Sequence, residues 1–326
     1  MKKRRVGSFE VSAIGLGCMN LSHAYGPPPS REQAERVLKG ALDAGYTFLD
    51  TAAVYGLGYN ERLVGEVLKD RRAEFVVASK CGVTRGEERE LNSSPARLKQ
   101  TCEESLARLN VEVIDLYYLH RWDKRVPIED SVGALADLVR AGKIKGIGLS
   151  EVSAGTLRKA HAVHPIAALQ SEYSPWTRNP EIAALAACRE LGVAFVAFSP
   201  LGRGFLAGGV CSPAALQPGD FRSDMPRFQG EAFAANLQLF DRFAALAKSA
   251  GCTPAQLCLA WLLQKDEIIV PIPGTTRPHH MIENANAATI RLEPAVVEQL
   301  ESLVNARTVS GARYAPEGQA AVDTED

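Results

Sequence analysis

The sequence predicts a single (β/α)8 barrel. Three observations carry this reading: eight short apolar runs recur along the chain, segments of helical period separate them, and most of the runs are continuously apolar rather than alternating. A strand covered on both faces reads as a continuous apolar run. Strands that alternate with helices build parallel sheets, and eight such units close into a barrel. The chain has 326 residues and is 46% hydrophobic, enough to fill one large core.

The elements follow in order. The basic start R-R-V-G-S-F-E-V-S reads as a hairpin with a Gly-Ser turn that closes the barrel floor. Strands are expected at residues 13–17, 46–50, 75–80, 114–120, 144–150, 167–172, 194–199 and 268–272. Helices are expected at 30–44, 94–109, 128–141, 153–163, 181–191, 234–249 and 278–287. The first places Ala34, Val37, Leu38, Ala41 and Leu42 on one face, and the second opens with Ser-Pro, an N-cap followed by proline at the first helical position. Gly45, Gly142 and Gly192 stand where three of these helices end, because glycine tolerates the left-handed C′ conformation. The barrel spans about 13–290, with a C-terminal helix and tail at about 293–326. Two stretches break the rhythm: the Gly- and Pro-rich segment 202–230 and the tail after Leu303. The other α/β solution, a doubly wound sheet, demands a glycine-rich phosphate turn after the first strand. Gly15-Leu16-Gly17 lacks the third glycine and opens no helix.

The bulk properties narrow the function classes. With 37 basic and 38 acidic residues the net charge is −1, which argues against an extended nucleic-acid surface. The seven cysteines show no C-x-x-C spacing and read as free thiols of a reducing, cytoplasmic setting. The start M-K-K-R-R runs on without an apolar leader, and no stretch approaches the length of a membrane span. No cluster of metal-ligand spacing is present.

Ionisable residues close three of the apolar runs: Asp50, Lys80 and His120, with Tyr55 just beyond the first. In a barrel the C-terminal ends of the strands share one face, and the active site lies there. Each residue alone has an ordinary structural reading, as a surface charge or a packing side chain. Together they form a proton-transfer set. A lysine ammonium beside a phenol lowers its pKa from about 10. Asp50 would hold Lys80 charged, and His120 would orient a substrate oxygen. Such a site suits carbonyl reduction once something else supplies hydride.

At this point the chain resembles a known family. The segments D-T-A-A-V-Y-G, the strand ending in S-K, L-Y-Y-L-H, I-K-G-I-G-L-S, L-Q-S-E-Y-S, F-S-P-L-G-R-G and I-P-G-T-T-R are together similar to an aldo-keto reductase over roughly residues 6–304. The run S-E-Y-S-P-W-T-R places it near the bacterial, fungal and plant reductases of the perakine-reductase type. The resemblance implies a catalytic tetrad of Asp50, Tyr55, Lys80 and His120, with Tyr55 as general acid, and a small-molecule carbonyl substrate. It implies NADPH bound in extended form, with NADH as a second donor. Ser150 and Gln170 would hold the nicotinamide carboxamide, and Phe198 would stack on the ring. Ser199, Leu201, Gly202 and Arg203 would follow the pyrophosphate. Gly274, Thr275, Thr276 and Arg277 would surround the 2′-phosphate, with Glu283 and Asn284 near the adenine.

Two departures stand out. His280 occupies a place where many relatives have a second arginine, so the preference for NADPH over NADH is expected to be modest. Glu151 follows Ser150 where many have asparagine. Met19, Asn20, Tyr25, Trp122 and Trp176 are expected at the substrate mouth. Two other functions share the fold: a cofactor-binding regulatory subunit of the potassium-channel β type, and a Schiff-base aldolase using Lys80. Substrate and oligomeric state are not written in these motifs.

Overall fold

The structure, a computed structural model of the chain, describes residues 1–85 and 89–325. It opens with an antiparallel hairpin, β1 (Lys3–Val6) and β2 (Phe9–Ser12). Gly7 turns it at φ 56°, and a side chain there would sit 2.7 Å from the Ala167 methyl. Val6 and Val11 pack against Phe48, Leu116, Ala168 and Val196, so the hairpin seals one end of the interior.

The strands of the sheet follow: β3 (Leu16–Gly17), β4 (Phe48–Asp50) and β5 (Val76–Cys81). A short antiparallel pair, β6 (Val83–Arg85) and β7 (Arg89–Leu91), then interrupts the alternation. β8 (Ile114–Leu119), β9 (Ile144–Ser150), β10 (Ile166–Glu172), β11 (Ala194–Phe198) and β12 (Ile269–Pro271) complete the set. Eight strands run parallel in the order β3-β4-β5-β8-β9-β10-β11-β12. The ends of this sheet meet. Gly15 N–H donates to the Pro271 carbonyl at 3.0 Å, Gly17 N–H donates to the Pro273 carbonyl at 3.2 Å, and Gly17 bridges to Gly274. A side chain at Gly17 would lie 2.8 Å from the Ile272 carbonyl, so the closure requires glycine. The fold is the expected (β/α)8 barrel.

Apolar side chains fill two layers. Inside the ring lie Phe48, Ala78, Leu116, Tyr118, Ala194, Val196 and Val270. A larger cluster fills the space between sheet and helices. Gly148 is glycine for a packing reason: an added methyl would fall 2.2 Å from the Tyr118 ring.

Helices α1 (Arg31–Asp43), α2 (Tyr59–Val67), α3 (Pro95–Leu109), α4 (Ile128–Arg140), α5 (Ala154–Val163), α6 (Ala184–Leu191), α7 (Gly230–Ser249), α8 (Pro254–Lys265), α9 (Pro278–Asn286), α10 (Pro294–Leu303) and α11 (Pro316–Ala320) surround the sheet. Ser30, Ser153 and Thr253 cap α1, α5 and α8 through their side-chain oxygens. Three helices escaped the sequence reading. α2 is short and starts inside a glycine-rich turn. α8 is apolar around most of its circumference, with Leu257, Cys258, Leu259, Ala260, Trp261 and Leu262 all buried, so it shows no periodic stripe. Each large side chain there contributes on the order of 2 kcal/mol of burial. α11 lies in the tail, where Pro316 opens a five-residue helix too short for a pattern. Of the expected tail, Asp326 lies outside the described residues. No described helix is long and apolar enough to cross a membrane.

Candidate active site

Parallel pairing brings the strand ends to one edge. Asp50 ends β4, Lys80 lies near the end of β5, and His120 follows β8. Ser150 ends β9 opposite Gln170, and Phe198 ends β11 opposite Glu172. Residues 120 positions apart in the chain thereby touch: Gln170 Nε2 donates to Asp50 Oδ2 at 2.7 Å.

Tyr55 arrives on a tight turn. Gly56, Leu57 and Gly58 all have left-handed backbone, at φ 55°, 54° and 83°. A leucine in that region costs roughly 1–2 kcal/mol, so the surroundings must enforce it. Asn60 does part of this: it accepts from Thr51 Oγ1 at 2.6 Å and donates to the Cys18 carbonyl at 2.8 Å. Arg108 fills the space beside Gly58 and donates to the buried Glu61 at 2.5 Å.

Lys80 is the hub. Its ammonium donates to Asp50 Oδ1, to the Thr51 carbonyl at 2.7 Å and to the Tyr55 hydroxyl at 3.4 Å. Burial works against the ammonium, but the Asp50 carboxylate and then the Tyr55 phenol outweigh it and hold Lys80 charged. The His120 ring stands edge-on to Tyr55, with centroids 5.8 Å apart. The phenol does not behave as the sequence suggested. Burial pushes the Tyr55 pKa up, and Lys80 offsets this only in part because Asp50 lies beside it with opposite effect. Tyr55 is therefore held protonated rather than drawn towards phenolate.

These groups open into a cleft of about 1180 Å³. Asp50, Tyr55, His120, Ser150, Gln170, Phe198, Ser199, Leu201 and Arg203 line one part of it, and Gly274, Thr275, Thr276, Arg277, His280, Glu283 and Asn284 line another. Lys80 lies behind Tyr55 with its side chain fully buried. Gly202 is not on the wall; a side chain there would lie 2.8 Å from the Trp176 ring.

The expected mouth is only partly right. Met19, Asn20 and Tyr25 line the cleft, and Tyr25 stacks on Phe221 at 5.1 Å. Trp122 and Trp176 do not. The Trp122 indole N–H donates to the Val126 carbonyl at 2.8 Å, which turns the ring into its own loop and onto the core. Trp176 is buried and stacks on Phe205 at 4.5 Å. Their places are taken by residues the sequence did not single out: His23, Arg121, Phe221 and Tyr314. Arg121 was within reach of sequence reasoning, since it follows His120 at a strand end. Tyr314 had no local signal, because it comes from the tail.

The tail reaches the cleft through buried charges. Arg313 pairs with Glu151 and, at 3.1 Å, with Glu172. Arg203 pairs with the same Glu172 at 2.5 Å and donates to the Tyr314 hydroxyl at 3.0 Å. The guanidinium expected on a pyrophosphate is thus engaged with protein groups in this structure. Burial alone would raise the Tyr314 pKa, but Arg203 and Arg313 outweigh it and bring it down to about 8. Glu151, at φ 56°, owes its unusual backbone to this junction: its carbonyl also accepts from Asp323 N–H at 2.9 Å. Asp323 in turn accepts from Thr156 Oγ1 at 2.7 Å, at the start of α5.

The far end of the cleft suits an anionic, extended ligand. Thr275 Oγ1 accepts from Arg277 N–H at 3.0 Å, Gln33 fixes the Thr276 carbonyl at 2.8 Å, and α9 begins just beyond. Arg277 is exposed and pairs with no carboxylate among the described residues. A side chain at Gly274 would lie 2.8 Å from Asn20 Oδ1, so the backbone there is bare towards the cleft. Burial and the neighbouring His279 push the His280 pKa down, leaving it neutral near pH 7. Among the described residues no cluster of histidine, cysteine and carboxylate could hold a metal ion.

Comparison with known proteins shows the family and the fold. Residues 13–305 match the model of the aldo/keto reductase family. The chain is 44% identical over 321 residues to the protein named aldo-keto reductase yakc, NADP(+), of Schizosaccharomyces pombe, covering 96% of this chain and 94% of that one. It is 45% identical over 309 residues to probable aldo-keto reductase 1 of Glycine max, covering 94% and 89%. Among solved structures it resembles the glycerol dehydrogenase AKR11B4 of Gluconobacter oxydans, with a TM-score of 0.86, 28% identity and coverage of 96% and 98%.

Proposed function

The chain belongs to the aldo/keto reductase family, and from that premise we propose that it reduces small aldehydes or ketones to alcohols with NADPH, Tyr55 acting as general acid. The observation that carries the reading is the convergence on Tyr55: Lys80 Nζ at 3.4 Å from its hydroxyl and the His120 ring edge-on at 5.8 Å, at the wall of one large cleft.

A carbonyl oxygen placed between Tyr55 and His120 would meet two donors. Tyr55, held protonated by burial, passes its proton to that oxygen as charge develops there. Lys80, charged and bonded to Asp50, stabilises the phenolate left behind. His120 orients the oxygen. When bound, the dinucleotide supplies the hydride. Ser150, Gln170 and Phe198 would hold its nicotinamide end, Ser199, Leu201 and Arg203 its pyrophosphate, and Thr275, Thr276, Arg277 and His280 its 2′-phosphate, with Glu283 and Asn284 towards the adenine. The S. pombe relative carries NADP(+) in its name, which supports this donor. The setting this implies is the cytoplasm.

The aldolase reading finds no support. A Schiff-base lysine must be neutral and reachable, whereas the Lys80 side chain has no exposed surface and its ammonium is fixed by Asp50 and Thr51.

The test is an NADPH-oxidation screen across aldehydes, ketones and quinones, repeated with NADH. Turnover with some carbonyl compounds, faster with NADPH, is expected. No oxidation with any of them would sink the proposal.

A further inference from the structure

We propose that Arg121 is the anchor for an anionic group on the substrate, so that the compounds this enzyme prefers are oxo acids whose carboxylate lies a few atoms from the reacting carbonyl. The inference rests on the reductase reading of Tyr55 and His120.

The argument begins with an unmatched charge. Arg121 lines the cleft immediately after His120 and is only 9% exposed. Buried cations are expensive unless an anion compensates them. The other buried lysine and arginines among the described residues each have one: Lys80 has Asp50, Arg203 has Glu172, and Arg313 has Glu151 and Glu172. Arg121 has no carboxylate partner among the described residues. Its Nη1 donates to two neutral oxygens, the His120 carbonyl at 2.6 Å and Ser150 Oγ at 3.1 Å. The nearest acid in sequence, Asp123, is engaged by Arg125 at 2.8 Å.

The two bonds at Nη1 fix the guanidinium and leave its other edge. Nε and Nη2 make no hydrogen bond to the described residues, and Arg121 lines the cleft, so this edge is left for a ligand. Two parallel N–H groups in one plane are the complement of a carboxylate. The positive charge is felt at two of the three phenols of the cleft, Tyr55 and Tyr314, which places it in the reaction chamber rather than on the outer surface.

The position favours substrate over cofactor as the source of the anion. Arg121 is bonded to His120 and Ser150, at the reacting end of the cleft, while the segments suited to phosphates are residues 199–203 and 274–277. An anchor one residue from His120 suits a short chain between carbonyl and carboxylate.

The experiment compares oxo acids of three chain lengths, 2-oxobutanoate, 4-oxobutanoate and 5-oxopentanoate, with their methyl esters, in the wild-type enzyme, Arg121→Met and Arg121→Lys. The kcat/KM ratio of acid to ester should exceed one in the wild type for at least one length. In Arg121→Met that ratio should fall roughly tenfold or more, the scale of a lost charge-assisted bond; Arg121→Lys should keep part of it. The Kd for NADPH, read by fluorescence quenching, should stay within about twofold. An unchanged acid-to-ester ratio would overturn the inference, and so would a loss of NADPH affinity that accounts for the fall. If neither acids nor esters turn over in the wild type, the wider carbonyl screen decides the reductase reading by itself. Protection against thermal unfolding by 4-oxobutanoate then decides the anchor: protection lost in Arg121→Met supports it, and equal protection in both proteins contradicts it.

Discussion

Lys80 Nζ stands 3.4 Å from the Tyr55 hydroxyl while its stronger bonds go to Asp50 and the Thr51 carbonyl. The ammonium is thus a fixed charge rather than a proton donor in its own right. It can stabilise a phenolate at the moment one forms, without drawing the resting phenol to ionise, because burial raises the phenol's pKa and Asp50 opposes the field of Lys80.

That arrangement makes the pair sensitive to removal of one member. Lys80→Met leaves Asp50 buried without its cation and should destabilise the protein by about 3–5 kcal/mol. Adding Asp50→Asn to Lys80→Met removes the stranded charge and should recover part of the loss. Urea unfolding of the single and double variants checks this. A double variant less stable than Lys80→Met would contradict the assignment of the loss to an unpaired carboxylate.

Tyr314 gives the tail a pH signature. Its phenol titrates at about 8 in the folded protein and near 10 when unfolded. Between those values the unfolded chain binds more protons, so stability rises with pH there, and the contribution is lost as pH falls through 8. The gain is at most about 2 kcal/mol. Thermal unfolding at pH 8 and pH 10 should show a relative stabilisation in the wild type that Tyr314→Phe lacks. Equal pH dependence in the two proteins would refute it.

His280 sets the choice of dinucleotide in this reading. It lies beside Arg277 on the cleft wall and is neutral near pH 7, because burial and His279 depress its pKa. His280→Arg adds a permanent charge and should raise the NADPH-to-NADH ratio of kcat/KM on the order of tenfold. The wild-type ratio should also grow as pH falls towards the His280 pKa. Steady-state kinetics with both dinucleotides at pH 5.5 and 7.5 would measure both effects.

Much of this was legible in the chain. Continuous apolar runs such as L-Y-Y-L and F-V-V-A-S mark strands buried on both faces, and the ring order follows from their alternation with helices. Parallel strands with their ends at one edge place Asp50, Lys80 and His120 together whatever the loops do. The loops were not legible. Whether Trp122 faces a ligand or its own Val126 carbonyl depends on a hydrogen bond within one turn. The tail was hidden for a different reason. Its docking rests on Arg313, Tyr314 and Asp323 meeting Glu151, Glu172, Arg203 and Thr156 more than a hundred residues away, and such pairings leave no periodic trace. Glu151 looked like a departure near the nicotinamide and is the tail's anchor. The Tyr55 pKa was misjudged because its burial and the screening by Asp50 exist only in the folded protein.

The central claim is that Tyr55 delivers the proton. Tyr55→Phe removes one oxygen and leaves the turn, Lys80 and the cleft in place. The measurement is kcat for NADPH-dependent reduction of the best carbonyl substrate, with the NADPH Kd taken on the same preparation. The account predicts a fall in kcat of roughly 10²–10⁴ with Kd unchanged. Turnover within a few-fold of wild type would contradict it.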